Sequence, residues 1–201
     1  MKLALVSPRG PLYKHSSGIW KKSMRYAPIT LTTLAGLIPE DLSIDFTLHD
    51  EGIEDIPLDI DADIIGISAI TGTAPRSYEL ADHFRKQGKT VVLGGVHPTL
   101  MPDEAAEHAD SIVVGYAEKN WPQLLRDFIN GDLKKRYSAL STDLSNLPLP
   151  RRDLLNPKDY TTIHTIEVTK GCLNACEFCV SNALFGRQQF QKPVADVIKE
   201  I

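Results

Sequence analysis

"DIIGISAITGTAPRSYELADHFRKQGKTVVLGG", residues 63–95, is the stretch of this chain that decides its fold. The apolar run Asp63–Ile70 is typical of a buried parallel strand. Arg76–Gln87 then places its apolar residues on one face at helical spacing, and Gly88 marks the end of that helix. Thr90–Leu93 is a second apolar run, and it stops at two glycines. A strand, a helix and a strand in this order predict one unit of a parallel α/β sheet.

The same alternation of strands and helices extends over the first 140 residues. The predicted strands are Lys2–Ser7, Ser43–Leu48, Asp63–Ile70, Thr90–Leu93 and Ser111–Val114, and the predicted helices open at Pro28 and cover Arg76–Gln87, Asp103–His108 and Asn120–Ile129. Five strands joined by crossover helices predict a flavodoxin-like (Rossmann-like), doubly wound parallel five-stranded sheet. We expect residues 1–140 to form this α/β domain, since a chain of that length buries a core of its own.

The composition is that of an ordinary globular protein, with 42% hydrophobic and 24% charged residues and a net charge of -4. A negative net charge argues against non-specific binding to nucleic acid or to anionic membranes. The sequence contains no apolar run of the ~20 residues that a membrane span requires. Its opening, MKLALVSPRG, is too short for a signal peptide. We therefore expect a cytoplasmic protein whose thiols stay reduced.

The regular alternation of strand and helix patterns ends after residue 140. Residues 141–160 carry three prolines without a clear period and are predicted to be a linker. Thr162–Val168 is rich in β-branched residues and predicts a strand that leads into the cysteines. Pro193 then opens an amphipathic helix. Because these elements are too few to bury a core, we expect 161–201 to be the start of a truncated second domain.

All three cysteines of the chain, Cys172, Cys176 and Cys179, lie within eight positions, with the spacing C-x3-C-x2-C. Thiolates so close in sequence can converge on one metal site. Structural zinc requires a fourth ligand, and the histidine nearest in sequence, His164, lies back in the predicted strand. Three thiolates on a four-iron cluster would leave one iron open, so that it could bind a substrate. Zinc binding and idle surface thiols are the alternatives.

The cysteine segment resembles the radical S-adenosylmethionine (SAM) superfamily, whose motif is C-x3-C-x-aromatic-C after the first strand of a partial barrel. Phe178 supplies the aromatic residue, and the likeness extends over Thr162–Ile201. The resemblance implies a [4Fe-4S] cluster on the three cysteines, with the open iron chelating SAM. It further implies that an electron donor such as flavodoxin or ferredoxin drives SAM cleavage to a 5'-deoxyadenosyl radical, which abstracts hydrogen from a small-molecule substrate.

The upstream domain resembles the cobalamin-binding members of that superfamily. The matching stretches are Ala27–Leu37, Ile64–Thr73, Val91–Pro102, Ile112–Glu118 and the linker motif PLPRRDLL at 148–155. The chain departs from the resemblance at Tyr116, which stands where relatives often carry a carboxylate in Gly-Glu-Gly-Glu. The likeness implies that cobalamin is a second cofactor.

Ligands of open α/β sheets lie beyond the carboxyl ends of the strands, where we expect the corrinoid contacts. The candidate residues are Ser68, Thr71 and Thr73 after one strand, Gly94, Gly95 and His97 after the next, and Gly115 and Glu118 after the third. Glycines would let a large ring or a nucleotide tail approach the backbone closely. Taken singly, each glycine is better explained by a tight turn, and only together do these residues favour a ligand site.

Another group of cobalamin proteins carries D-x-H-x-x-G after the first strand, where histidine is the lower cobalt ligand. The corresponding loop here, residues 7–18, reads SPRGPLYKHSSG and does not match. His49-Asp50-Glu51-Gly52 matches only in part and follows a different predicted strand, so we interpret it as a chance match. We therefore expect a bound cobalt without a protein histidine below it.

Together these features predict an enzyme, a cobalamin-dependent radical SAM protein that transfers a methyl group to an unactivated carbon or phosphorus. Radical cyclisation or rearrangement is one alternative. A non-catalytic corrinoid- or nucleotide-binding module with a structural metal is another. A methylthiotransferase is disfavoured, because those relatives carry further cysteines where residues 1–171 have none. We expect the 201 residues alone to bind cofactors without turning over a substrate.

Overall fold

The computed structural model describes residues 1–10 and 26–201. The strands are β1 (Lys2–Ser7), β2 (Asp45–Asp50), β3 (Ile64–Ser68), β4 (Thr90–Gly94), β5 (Ser111–Gly115), β6 (Arg136–Ala139), β7 (Thr169–Gly171) and β8 (Gln189–Gln191). The helices are α1 (Ile29–Gly36), α2 (Ala74–Lys86), α3 (Val96–Leu100), α4 (Pro102–His108), α5 (Ala117–Asn130), α6 (Val180–Phe185) and α7 (Val194–Glu200). Three short 3₁₀ turns cover Thr71–Thr73, Arg152–Leu154 and Pro157–Asp159.

Six of the strands form one parallel sheet in the order β2-β1-β3-β4-β5-β6. The strand order reverses between β1 and β3, as it does at the switch point of a doubly wound sheet. The predicted α/β class with a parallel, Rossmann-like sheet is therefore confirmed. Parallel strands share their carboxyl edge, so the loops after β3, β4 and β5 are neighbours in space.

Successive side chains of each strand point to opposite faces of the sheet, and each face packs in its own hydrophobic core. On β1, Leu3 and Leu5 pack with Leu31 of α1 and with α5, while Ala4 and Val6 pack with α2 and α4. Because both faces are covered, the inner strands read as continuous apolar runs, which made them recognisable in the sequence. Among the described residues, no helix is both long enough and apolar enough to cross a bilayer.

The predicted number of strands is wrong, because the sheet has six strands rather than five. The missed strand, β6, is a four-residue edge strand with one buried residue, Tyr137. Edge strands lack the double-sided burial that produces an apolar run, so its sequence (RYSA) carries almost no signal.

The predicted strand Thr162–Val168 is also wrong. The structure has β7 just after it, at Thr169–Gly171, paired antiparallel with β8. Within the predicted range, the described chain forms only an isolated bridge between Tyr26 and Thr162. High β-propensity does not make a strand without a neighbour that accepts its backbone hydrogen bonds.

Residues 141–160 run along α1 before the chain reaches the cysteines. The backbone N–H of Arg151 donates to the carbonyl oxygen of Thr32 at 2.9 Å. The segment then holds α7 through Arg152, whose guanidinium lies 2.5 Å from the buried carboxylate of Glu200. Lys192, just after β8, pairs with the same carboxylate at 2.5 Å. These contacts bring the cysteine-bearing segment over the carboxyl edge of the sheet.

Candidate functional site

A cavity of about 290 Å³ lies where β3, β4 and β5 end. Its floor is formed by strand ends and by α1 and α5, and the segment that precedes the cysteines forms one wall. The residues that line the cavity include Leu34, Ser68, Gly94, Gly95, Gly115, Tyr116, Trp121, Lys170, Gly171 and Phe185. The predicted contacts Ser68, Gly94, Gly95 and Gly115 are therefore brought together, each at the end of its strand.

Two of these glycines are required by the backbone. Gly95 and Gly115 have φ angles of +102° and +83°, which residues with a side chain rarely adopt. A Cβ at position 95 would also lie 2.7 Å from the carbonyl oxygen of Ala69, and a Cβ at position 115 only 2.0 Å from that of Ala139. Both glycines are therefore explained by the close approach of neighbouring loops.

Gly94 is different, because nothing in the fold demands a glycine there. A Cβ at this position would lie 3.6 Å from the Cβ of Val113, an ordinary van der Waals contact. A larger side chain at position 94 would extend into the cavity that this residue lines. Gly94 thus keeps open a space that the protein itself does not fill.

Thr71 and Thr73 lie outside the wall of this cavity. The hydroxyl of Thr73 donates to the carbonyl oxygen of Ile70 and accepts from the Ile70 N–H, both at 3.1 Å. Thr71 lies 3.4 Å from the ring nitrogen Nδ1 of His97. These hydroxyls organise the turn that leads into α2.

His97 is buried, and its ring faces away from the cavity towards α2 and α4. Its Nε2 atom lies 2.9 Å from the hydroxyl of Tyr78 and 3.3 Å from the carboxylate of Glu104. Hydrogen bonds from Tyr78 and His97 hold the pKa of Glu104 below its usual value. His97 therefore has its polar partners within the protein.

Glu118 does not line the cavity but connects it to the cysteine segment. Its buried carboxylate accepts hydrogen bonds from Lys170 and, at 3.2 Å, from the hydroxyl of Thr142. Burial lowers the pKa of Lys170, but the charges of Glu118 and Glu167 outweigh that effect and raise the pKa above its usual value. Lys170 is two residues before Cys172. This ion pair ties the start of α5 to the strand that leads into the cysteines.

Tyr116 is the residue that sequence reasoning missed as a contact, because it was read only as a departure from a motif. Its side chain is buried, with 5% of its surface exposed, and lines the cavity. The ring stacks on Phe185 at 4.4 Å and meets Phe190 edge-on at 5.4 Å. Its hydroxyl has no hydrogen-bond partner among the described residues. Its place directly after Gly115, at a strand end, was the available signal.

The three cysteines lie in the loop between β7 and α6. The N–H of Cys179 donates to the carbonyl oxygen of Cys176 at 3.0 Å, and the N–H of Asn174 lies 3.4 Å from the sulfur of Cys172. Within the described ranges, no three histidine, cysteine or acidic side chains are gathered as a metal site. Phe178 is almost fully exposed. The three thiols of this loop are therefore close in sequence but are not gathered into one site in the described structure.

Comparison with known proteins places this geometry in a family context. Residues 25–125 match the B12 binding domain family. The chain is 42% identical over 168 residues to bacteriochlorophyllide d C-8(2)-methyltransferase of Chlorobaculum tepidum, which covers 80% of this chain and 37% of that protein. It is 31% identical over 180 residues to bacteriochlorophyllide d C-12(1)-methyltransferase of the same organism, covering 87% of this chain and 39% of the relative.

A third relative, an uncharacterised methyltransferase of Synechocystis, is 26% identical over 179 residues. The first two relatives are much longer than this chain, which spans 37% and 39% of their lengths. The residues that match the B12 binding domain family, 25–125, include β3, β4 and β5 and the loops that follow them.

Proposed function

The chain belongs to the B12-binding domain family, and on this premise we propose that it is the cofactor-binding part of a cobalamin-dependent radical SAM methyltransferase. The observation that carries the proposal is the cavity at the carboxyl edge of the sheet. Most of its lining residues belong to the matched range, at the edge where open α/β sheets bind their ligands, and the segment leading to the cysteines, which lies outside that range, forms one of its walls.

A cavity of about 290 Å³ is too small for a whole corrinoid, but its residues fit one part of it, the nucleotide tail or one edge of the ring. Gly94 leaves room that a side chain would fill, and the buried hydroxyl of Tyr116 has no hydrogen-bond partner in the part of the chain that the structure describes. Leu34, Trp121 and Phe185 provide apolar walls that exclude water. Cobalamin, when bound, supplies a cobalt centre that accepts and donates a methyl group. Ser68 and the backbone at Gly94 and Gly95 would contact its ring or its nucleotide.

The lack of a lower histidine ligand is part of this proposal for the described residues. None of the described residues that line the cavity is a histidine. The histidine closest in sequence to Gly95, His97, is held by Tyr78 and Glu104 on the other side of its loop. Residues 11–18 of the loop after β1, which include His15, lie outside the described residues. We therefore propose that the described part of the chain shields the cobalt without ligating it.

The cysteine loop fits an iron–sulfur cluster by the chemistry of its donors. Cys172, Cys176 and Cys179 would each hold one iron, and metal binding would supply the free energy that gathers their sulfurs. A [4Fe-4S] cluster, when bound, supplies the electron that cleaves SAM. The guanidinium of Arg187 donates to the carbonyl oxygen of Leu173 at 3.2 Å and so closes the loop at its base. Phe178 is free to cover the cluster, because it packs on little in the present structure.

Methyl transfer is the reaction best supported, because the relatives at 42% and 31% identity both carry the name methyltransferase. Both relatives are named for a bacteriochlorophyllide, which makes a tetrapyrrole the first substrate class to assay. The transferred methyl group would end on an unactivated carbon.

Anaerobic reconstitution with ferrous iron and sulfide tests the cysteine assignment. We expect about four irons per chain, a broad visible absorption band and a change in that band on addition of SAM. Replacing the three cysteines by alanine should abolish all three signals. Tight zinc binding without any cluster would instead support a non-catalytic module with a structural metal.

The reaction itself is tested in a protein extended through the reading frame beyond Ile201. Incubation with methyl-labelled SAM, a reductant and bacteriochlorophyllide d should yield 5'-deoxyadenosine and a labelled tetrapyrrole. We expect neither product from residues 1–201 alone. Release of 5'-deoxyadenosine without methyl transfer would favour radical cyclisation or rearrangement.

A further inference from the structure

A buried hydroxyl without a partner needs a physical explanation. Tyr116 is as buried as Tyr137, and both are 5% exposed. The hydroxyl of Tyr137 donates to the carboxylate of Asp127 at 2.8 Å and accepts from the N–H of Lys134 at 3.1 Å. The hydroxyl of Tyr116 has no partner within the described residues. Leaving such a group unpaired destabilises the folded state, so its retention suggests that something else uses it.

The position of this hydroxyl indicates what uses it. Tyr116 lines the cavity directly after β5, and the ring is fixed by stacking on Phe185. A Cβ placed on Gly171 would lie 3.5 Å from the Tyr116 hydroxyl, so this oxygen sits against the wall that the cysteine segment provides. The hydroxyl oxygen itself is closed off from solvent, so a ligand that widens the cavity at this wall would meet a water-poor hydrogen-bond donor between the sheet and the cysteines.

The donor is also held in its neutral form. Burial raises the pKa of Tyr116 above its usual value, and the charge of Glu118 acts in the same direction. The ammonium group of Lys170, 5.9 Å from the ring centroid, opposes this effect only in part. A neutral phenol donates one hydrogen bond at all physiological pH values.

We propose that Tyr116 is a corrinoid-binding residue, whose hydroxyl donates a hydrogen bond to an acceptor oxygen of cobalamin at the wall shared by the sheet and the cysteine segment. This inference rests on the proposed function. The acceptor is either an amide carbonyl on the periphery of the corrin ring or a phosphate oxygen of the nucleotide tail.

Titration with hydroxocobalamin, followed by absorbance, tests the inference. Tyr116→Phe keeps the ring and its stacking, and we expect it to weaken binding about tenfold. The ligand-free variant should melt at least as high as the original protein, by about 3 °C more if the hydroxyl is unpaired, because the substitution removes a buried unsatisfied group. Tyr137→Phe is the matched control and should show the opposite pattern, lower stability with unchanged affinity.

A second titration with cobinamide, which lacks the nucleotide, identifies the acceptor. If Tyr116→Phe weakens binding of both corrinoids, the acceptor is a ring amide; if only cobalamin is affected, it is the nucleotide phosphate. Equal affinity of Tyr116→Phe and the original protein for hydroxocobalamin would overturn the inference while leaving the proposed function intact. Failure of the original protein to bind hydroxocobalamin would overturn both.

Discussion

Gly115 and Gly131 have nearly the same left-handed backbone, with φ angles of +83° and +79°, but very different surroundings. A Cβ at position 115 would lie 2.0 Å from a backbone oxygen, whereas position 131 has nothing within 4 Å. We expect Gly115→Ala to lower the free energy of unfolding by about 3 kcal/mol or more, since strain and overpacking add. Gly131→Ala should cost about 1 kcal/mol. Urea denaturation measures both values, and equal losses would show that the steric conflict is relieved without cost.

Glu51 is a buried carboxylate at the carboxyl end of β2 that accepts hydrogen bonds from Arg76 at 2.6 Å and from the N–H of Arg9 at 3.1 Å. Burial alone would raise its pKa, but these hydrogen bonds and charges outweigh it and hold the pKa below the usual value. Because the folded pKa is below the unfolded one, the stabilisation is present above the unfolded pKa of 4.5 and disappears as the pH falls through the folded value.

We therefore predict that the protein loses part of its stability on acidification below about pH 4.5, and that Glu51→Gln loses less over the same range. At neutral pH the variant should be about 3 kcal/mol less stable, because Arg76 loses its buried charged partner and keeps only the exposed carboxylate of Glu79. Urea denaturation at neutral and acidic pH provides the comparison. Parallel stability curves for the two proteins would contradict the assignment.

The adjacent glycines show how far single residues can be interpreted from sequence. The pair Gly94-Gly95 could be predicted to end a strand near a ligand, because two glycines after an apolar run have that meaning. Only the structure separates them, since φ at Gly95 and the open space at Gly94 depend on neighbouring loops distant in sequence. His97 could not be placed for the same reason: a side chain next to a glycine turn can face either side of the loop.

At the scale of elements, burial decided which predictions succeeded. β1, β3, β4 and β5 were found near their predicted positions because each is apolar on both faces. β6 was not predicted because it buries only one side chain. No strand forms at Thr162–Val168 because this segment has no neighbouring strand to pair with among the described residues. Local composition therefore predicts the inner elements of this fold better than its margins.

α7 is predicted to depend on one buried carboxylate. The side chain of Glu200 is 1% exposed and pairs with both Arg152 and Lys192. Removing it leaves two cations without their partner, so Glu200→Gln should destabilise the docking of α7 by about 3 kcal/mol. Hydrogen exchange should then accelerate in residues 194–200 but not in β3 or β4.

Lys199→Ala is the matched control on the same helix. Lys199 is largely exposed and lies 3.5 Å from the carboxylate of Asp196, a surface pair of little energetic weight. We expect exchange in α7 to stay within error of the original protein. An equal effect of both substitutions would show that the helix is held by its general charge and not by the buried carboxylate.

At the scale of the whole molecule, the pair Glu118–Lys170 joins the sheet to the cysteine segment. Glu118→Gln should weaken that connection by about 3 kcal/mol, because it removes the buried charge that Lys170 faces. We expect faster hydrogen exchange in residues 169–191 with little change in the sheet. Glu167→Gln, which removes the exposed partner of Lys170 at 3.4 Å, should have only a small effect. Similar exchange in both variants would contradict the assigned role of Glu118.

The two halves of the candidate site differed in how much the sequence could predict. The carboxyl edge of the sheet could be predicted, because parallel topology alone brings the strand ends together. The joint with the cysteine segment could not, since Tyr116 meets Phe185 and Glu118 meets Lys170 only after the linker has turned the chain back. The spacing of the cysteines predicts a ligand set but not the positions of the sulfurs, which the structure does not gather into one site within the described residues.

Equilibrium dialysis against hydroxocobalamin tests most directly the proposal that the cavity around Gly94 binds a corrinoid. We predict about one cobalamin per chain, binding weakened more than about tenfold in Gly94→Leu, which narrows the cavity, and unchanged binding in Ala106→Leu, which adds the same side chain to the exposed face of α4. Circular dichroism would establish that both variants are folded. Full binding by Gly94→Leu, or no binding by the original protein, would contradict the account.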